Sequence, residues 1–483
     1  MLNRILDTCK NIWSIPELRK RLLWTLGLLA VYRLGSLVIT PGIDESLLTQ
    51  MGNNEVFNFF NLISGGNFRK LSVFALGIMP YISASIVFQI LQFVVPTLEK
   101  LAKEGETGRQ KIHQYERWAT IVFAAIQGLG LSFTFMNVIG SKALVGEGTT
   151  PMQHFHYHFL VVTALVTGTM FTMWIGEQIT ERGLGNGISL IIFAGIVANF
   201  VPNVHKLLST AGTGGGLSWP KLVIVAVLMV AIIFGIIFIE KAERRVPMQV
   251  ARRVRGMTAS QSTYFPIKLN PPGVIPVIFA SSLMMIPTLI LNIGWLKDSA
   301  NPTIKEMVKN ITTSISYGSP IYLLFYALCI FFFTYFYTSV VMDSEKIADD
   351  LKRSGTNIPG IRPGKATADY LDSILKKLLF VGAIYLVTIA VMPIIFVDGI
   401  HLQNLPIVGA NIESFLQRTH FDWILNGLVN GGAARSITFG GTSLLIVIGV
   451  AMDFLQQLES HLNMRRYDGF LGKGRAIGRM AAR

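Results

Sequence analysis

Ten apolar runs divide this chain, beginning near Leu22, Phe74, Trp118, His158, Ile188, Leu222, Val274, Ile321, Leu378 and Ile437. Most reach the roughly 20 residues that an α-helix needs to cross the hydrocarbon core of a bilayer. The run from Ile188 to Val201 is short, is bounded by glycines and Pro202, and is ambiguous by length alone. Only 14% of the residues are charged and 51% are hydrophobic, whereas about a quarter of a soluble domain is charged. The expected fold class is therefore all-α, a polytopic membrane protein with ten transmembrane helices.

A nine-residue pattern occurs twice, as Gly77-Ile78-Met79-Pro80-Tyr81-Ile82-Ser83-Ala84-Ser85 and as Gly273-Val274-Ile275-Pro276-Val277-Ile278-Phe279-Ala280-Ser281. The copies head the second and seventh runs, so each is the second member of a five-run half. An odd number of spans per half forces the halves into opposite topology, which predicts two inverted five-helix halves with a substrate route between them. The expected organisation is a cytoplasmic amphipathic segment over 1–20, a first half over 21–205 and a second half over 206–456. The second half carries cytoplasmic loops at 241–270 and 342–377, and a basic cytoplasmic tail follows over 457–483. In the first segment Leu2, Ile5, Leu6, Cys9, Ile12 and Trp13 share one helical face, as in a helix lying on a membrane. Between the first two runs, Glu55–Gly66 is too apolar for an ordinary loop and too short to span. Phe57, Phe60 and Ile63, with Phe59 alongside, give it an apolar face that Gly65 and Gly66 end. A short helix folded back into the protein fits, and an interfacial helix is the alternative reading.

The formal net charge of +14 would suggest a nucleic-acid partner in a soluble protein. Here most Lys and Arg fall in 97–117, 241–270, 342–377 and after Gln456, which are cytoplasmic if the N-terminus is. Orientation and attraction to lipid headgroups account for most of this charge, and docking of a ribonucleoprotein or another partner accounts for the densest part. The two cysteines, Cys9 and Cys329, imply no disulfide framework.

Coupled transporters need ionisable groups inside their spans. Glu177, Glu240, Asp398 and Asp453 all sit near span ends, and Arg33 is the clearest interior charge, read as snorkelling or structurally paired. No phosphate loop, zinc-protease motif or serine nucleophile motif is present, so no enzyme chemistry and no cofactor or metal are expected. His154, His156 and His158 read as a solvated interface cluster. Ser85, Gln89 and Gln92 share one face of the second run, and Gln127, Ser281 and Ser282 could meet them. This is either helix packing through hydrogen bonds or a seam that opens. Ile78 and Ile82 are one turn apart, as are Ile188 and Ile192, and Ile278 takes the repeat offset of Ile82. By periodicity such isoleucines are ordinary filler, but around a narrow channel they would exclude water and ions.

Several long stretches in one order carry a resemblance. They are Ala75–Ser85, Lys103–Arg109, Met173–Arg182 running into Gly185–Ser189, Gly273–Ser282, Ile358–Gly364 and Gly440–Ile446. Along nearly its whole length the chain resembles the SecY family, the central subunits of bacterial protein-conducting channels. The resemblance implies a pore ring of Ile78, Ile82, Ile188, Ile192, Ile278 and Ile446, and a plug including Phe57, Phe59, Phe60, Leu62, Ile63, Gly65 and Gly66. It implies a lateral gate at Ser85, Gln89, Gln127, Ser281 and Ser282. Docking of a motor or ribosome would fall to Arg245, Arg252, Arg253, Arg255 and Arg362. The implied partners are the small membrane subunits SecE and SecG, the SecA ATPase, the ribosome, signal-sequence-bearing polypeptides and membrane lipids. The implied location is the bacterial cytoplasmic membrane with both termini cytoplasmic. Met342-Asp343-Ser344 stands where the family usually has Asn-Pro, and the outward segment 398–435 is longer than the common form. A secondary solute transporter shares the inverted repeat and is the competing class, and a membrane-embedded hydrolase comes third.

Overall fold

The computed structural model of the chain describes residues 15–41, 64–68, 70–139, 151–210, 219–250, 263–291, 311, 319–397 and 442–460. Each apolar run becomes a helix. In chain order these are α1 (Pro16–Gly35), α2 (Met79–Val94) with its continuation α3 (Pro96–Lys103), α4 (Glu106–Ile139), α5 (Pro151–Arg182) and α6 (Gly187–Thr210). They continue with α7 (Trp219–Glu240), α8 (Ile275–Leu291), α9 (Pro320–Val341), α10 (Ser344–Arg353), α11 (Lys365–Val397) and α12 (Thr442–Ser460). Among the described residues five helical segments are long and apolar enough to cross a bilayer by themselves. Of the others, α1 and the two repeat helices fall short for visible reasons. Four basic residues (Arg19, Lys20, Arg21 and Arg33) lie in α1. The repeat helices α2 and α8 have 16 and 17 residues, about 25 Å against a core of about 30 Å. At Val95 the chain turns extended, and α3 leaves α2 at 100°.

The helices group into two compact units. One holds the described residues through Pro202 and those from Val450 onward, and the other holds those from Asn203 through Gly449. The boundary cuts α6 at its internal proline, where one backbone hydrogen bond is missing. In the first unit α2 packs on α4, α4 on α5, and α5 on α1. In the second, α8 packs on α9, and α9 on α11. The repeat helix therefore begins the same neighbour sequence in each unit. Lipid is as apolar as leucine, so these contacts rest on close fit between small and branched side chains. Val161, Leu165, Ile175 and Ile179 of α5 are wholly buried, as are Ala383, Leu386 and Ala390 of α11. Gly168 and Gly187 meet the backbone carbonyls of Val73 and Gly176 so closely that neither has room for a methyl.

The bundle is helical as expected, and a small three-stranded sheet forms in the segments read as loops. Glu243–Val250 (β1) pairs antiparallel with Thr263–Lys268 (β2), placing Arg245 opposite Pro266, and its other edge takes Thr356–Asn357 (β3). The strands form because Val246 and Ile267 alternate inward onto Ile358, Leu371 and Leu375, giving this tip a small apolar core of its own. The segment 342–377 contributes α10, β3 and the first turns of α11. Asp343 caps α10, its carboxylate accepting from the Glu345 and Lys346 N–H groups at 3.1 and 3.3 Å. The first residues of the segment expected as a basic tail from 457 continue α12, with Leu458 buried against Leu18 and Leu184. Of the amphipathic segment expected over 1–20, residues 1–14 lie outside the described residues and residues 16–20 open α1, and residues 461–483 also lie outside the described residues.

Candidate conduction path and its gate

Both copies of the repeat fold into the same turn. Gly77 and Gly273 have left-handed backbones, with φ of 55° and 61°, a conformation that costs a side-chain-bearing residue about 1–2 kcal/mol. The Gly77 N–H donates to the Phe74 carbonyl at 2.8 Å and the Gly273 N–H to the Asn270 carbonyl at 3.3 Å. A helix starts two residues after each glycine, with Pro80 or Pro276 in its first turn, where a missing N–H costs little. In the second unit Asn270 braces this turn, donating from Nδ2 to Glu240 Oε1 at 2.8 Å and to the Gly273 carbonyl at 3.1 Å.

The turn aims isoleucines. In the first unit Ile78, Ile82 and Ile192 are buried and Ile188 is half-buried. Gly176 of α5 lies under this set: a methyl placed on it would meet Ile191, Ile188 and Ile78 at 3.4 to 3.5 Å. Ile78 and Ile188 therefore converge from different helices onto one small residue. In the second unit Ile278 and Ile446 are buried. Gly449 lies so close to Val274 that a methyl there would overlap its side chain, which sets α12 against the first turn of α8.

Of the expected plug, Phe57, Phe59, Phe60, Leu62 and Ile63 lie outside the described residues. Its end at Gly65 and Gly66 is described, with φ of 70° and 89°. Arg33 holds it. Its guanidinium donates to the Gly65 carbonyl at 3.2 Å, to the Gly195 carbonyl at 2.9 Å and to the Ala194 carbonyl. Among the described residues, three backbone carbonyls take the Arg33 N–H groups. Beside it, Asn67 Nδ2 donates to the Tyr32 hydroxyl at 2.9 Å, and the Phe68 N–H donates to Ser64 Oγ at 3.0 Å.

The expected gate residues separate by unit. On α2, Gln89 Nε2 donates to Ser85 Oγ at 3.1 Å, and Ser85 reaches Glu116 of α4 at 3.5 Å. Gln127 of α4 is buried. Among the described residues, the amide oxygens of Gln89 and Gln127 have no hydrogen-bond partner. In the second unit Ser281 and Ser282 are buried and donate to the Ile278 carbonyl at 2.9 and 2.8 Å.

Residue-by-residue reading missed Glu116. It stands in a segment read as a cytoplasmic connection, but α4 begins at Glu106 and carries it into contact with α2. Its carboxylate is buried and meets His113 Nδ1 at 2.9 Å. That bond raises the His113 pKa above its ordinary value, against partial burial. Arg117 and Glu177 pair at 2.8 Å, tying α4 to α5. The spacing of His113, Glu116 and Thr120 along one helical face was the available signal. The histidines of α5 do not converge. His156 Nδ1 meets its own Met152 carbonyl at 2.7 Å, while His158 Nδ1 meets Ser132 Oγ at 2.9 Å.

Of the docking arginines, Arg252, Arg253 and Arg255 lie outside the described residues. Arg245 is exposed on β1, bonded to Glu243 at 2.7 Å and lying over the Tyr264 ring at 4.7 Å. Arg362 is exposed on the turn after the buried Ile358, between left-handed Gly360 and Gly364, and its carbonyl accepts from Thr367 Oγ1 at 2.9 Å.

A membrane bundle of two units with a repeated short helix in each defines a class of helical channel and transporter folds. Residues 72–455 match the SecY family model. The chain is 40% identical over 475 residues to the protein translocase subunit SecY of Escherichia coli (strain K12), covering 96% of each chain. A solved structure described as showing that the plug domain of SecY stabilises the closed state of the translocation channel and maintains a membrane seal matches at TM-score 0.59. It is 16% identical and covers 93% of this chain and 96% of that one. The idle yeast Ssh1 complex bound to the yeast 80S ribosome matches at TM-score 0.56 and 15% identity, over 91% of this chain and 89% of that one. The chain belongs to the SecY family and has the ten-helix fold of its channels.

Proposed function

We infer that this chain is the pore subunit of a protein-conducting channel, passing secretory polypeptides across a membrane and releasing hydrophobic segments sideways into lipid. The observation that carries the reading is the doubled turn: a left-handed glycine, a helix-initiating proline and an inward isoleucine, once in each unit. Ile78, Ile82, Ile188, Ile192, Ile278 and Ile446 form a constriction whose branched apolar side chains exclude water and ions at rest. The segment from Phe57 to Gly66 plugs it. Ser85, Gln89, Gln127, Ser281 and Ser282 line the lateral gate. The orphaned amide oxygens of Gln89 and Gln127 support a moving seam, since a buried unpaired acceptor costs about 1–3 kcal/mol that a passing peptide N–H would recover.

No bond chemistry is assigned to the chain. Work comes from outside, from SecA or the translating ribosome, docking on Arg245, Arg252, Arg253, Arg255 and Arg362. The packed core under Val246, Ile267 and Ile358 makes that tip a firm support for the charges. SecE and SecG accompany the chain in the bacterial cytoplasmic membrane, with both termini cytoplasmic. The test is reconstitution: vesicles carrying the chain, its small subunits and SecA should import a signal-bearing precursor in the presence of ATP. Accumulation of a small solute down an ion gradient, with no precursor import, would overturn the assignment.

A further inference from the structure

Arg33 is a charge set in a membrane-spanning helix with no acid beside it among its described contacts. We propose that it is a positioning residue for the resting seal: it clasps the turn Ser64–Gly66 onto α6 and so fixes α6, which carries Ile188 and Ile192, against Ile78. The inference rests on the reading of these isoleucines as the constriction.

The geometry is specific. One guanidinium bridges three segments of the first unit, since it belongs to α1 and donates to Gly65 of the turn and to Ala194 and Gly195 of α6. Gly195 follows Ile192 by three residues, so the clasp grips α6 within one turn of the constriction. The surfaces it joins leave no slack. A methyl on Gly195 would lie 3.0 Å from the Gly65 Cα, and one on Gly66 would lie 2.5 Å from Asn199 Oδ1. Asn199 in turn donates from Nδ2 to the Gly195 carbonyl at 3.2 Å. The planar fork of arginine suits this task, because its N–H groups diverge toward separate carbonyls while an ammonium acts from a single point. Charge-assisted bonds of this kind are about twice as strong as neutral ones, and losing them removes a constraint that holds the closed arrangement. Arg33 acts through α6 and need not touch the translocating chain.

Two chemically different perturbations should converge. Arg33→Gln removes the charge, and Gly195→Ala keeps it but wedges the turn away from α6. Each full-length variant, purified with its small subunits and placed in a planar bilayer, should show resting potassium conductance raised about tenfold, the effect of roughly 1.4 kcal/mol less closed-state bias. Each should also import a precursor with a defective signal sequence. Arg33→Lys should fall between Arg33→Gln and wild type, and the double variant should leak no more than the stronger single one, because both act on one contact. Ile82→Asn reports separately on the constriction. If Ile82→Asn leaks while Arg33→Gln and Gly195→Ala, folded by their melting curves, stay sealed, the clasp is refuted and the ring stands. If Ile82→Asn is sealed, the ring fails and the inference goes with it. Should Arg33→Gln not fold, Gly195→Ala alone decides.

Discussion

Truncating Ile82 distinguishes a residue that fills a core from one that lines a throat. Ile82 and Ile179 are both buried in the first unit, at 4% and 0% exposure. Ile179→Ala should leave a closed void in α5 and cost about 2–5 kcal/mol, transfer loss and cavity together. At Ile82 the vacated volume joins a passage, so no sealed cavity forms and only lost contacts remain, about 2 kcal/mol at roughly 0.8 kcal/mol per methylene. The same change should widen the constriction and lower its barrier to water, raising resting ion conductance about tenfold for each 1.4 kcal/mol removed. Ile179→Ala should leave conductance alone. The assay is a pair of readings on each reconstituted variant, unfolding in denaturant and resting current across a planar bilayer. If Ile82→Ala destabilises as much as Ile179→Ala and the bilayer stays tight, Ile82 is core filler and the throat lies elsewhere.

Arg362→Glu should slow SecA- or ribosome-driven import at least severalfold with an unchanged melting curve, because Arg362 is exposed and bonds only through its carbonyl in the described contacts; normal import kinetics would remove its docking role. The His113–Glu116 pair raises the histidine pKa, so its stabilisation is complete below the ordinary value of 6.5 and fades as pH climbs through the raised one. With the imidazole 62% exposed, the effect should stay below about 1 kcal/mol. Wild type should therefore lose stability relative to His113→Asn as pH rises from 6 to 9, and parallel curves would contradict the pairing. Among the described residues Gly273→Ala meets no neighbour, and it should cost only the left-handed strain, about 1–2 kcal/mol. Gly187→Ala, by contrast, drives a methyl into the Gly176 carbonyl and should abolish accumulation of folded protein; similar expression of the two would refute the close α5–α6 contact.

Periodicity and length made the ten helices legible, and the doubled Gly-x-x-Pro marked where two of them begin. The proline and glycine fix those starts locally, so no tertiary knowledge was needed. The tip sheet was not legible, because Glu243–Val250 is charged along one face and becomes a strand only when Val246 finds Ile267 and Ile358 beneath it. Glu116 was hidden for a related reason: a carboxylate in a basic stretch reads as solvated until α4 is known to extend past the membrane and lean on α2. Arg33 stood out as a charge in a span, but its partners are backbone carbonyls, which any sequence supplies everywhere. The isoleucines were visible as residues and invisible as a group, since only the convergence of Ile78 and Ile188 on Gly176 separates them from other apolar side chains.

The central claim is that polypeptide threads between these isoleucines. A secretory precursor stalled in mid-passage, with a photoreactive side chain placed in turn at positions 78, 82, 188 and 278 of this chain, tests it directly. Adducts at all four positions, absent from an exposed lipid-facing site such as 328, are the expected result. Adducts at 328 with none at those four would contradict the account.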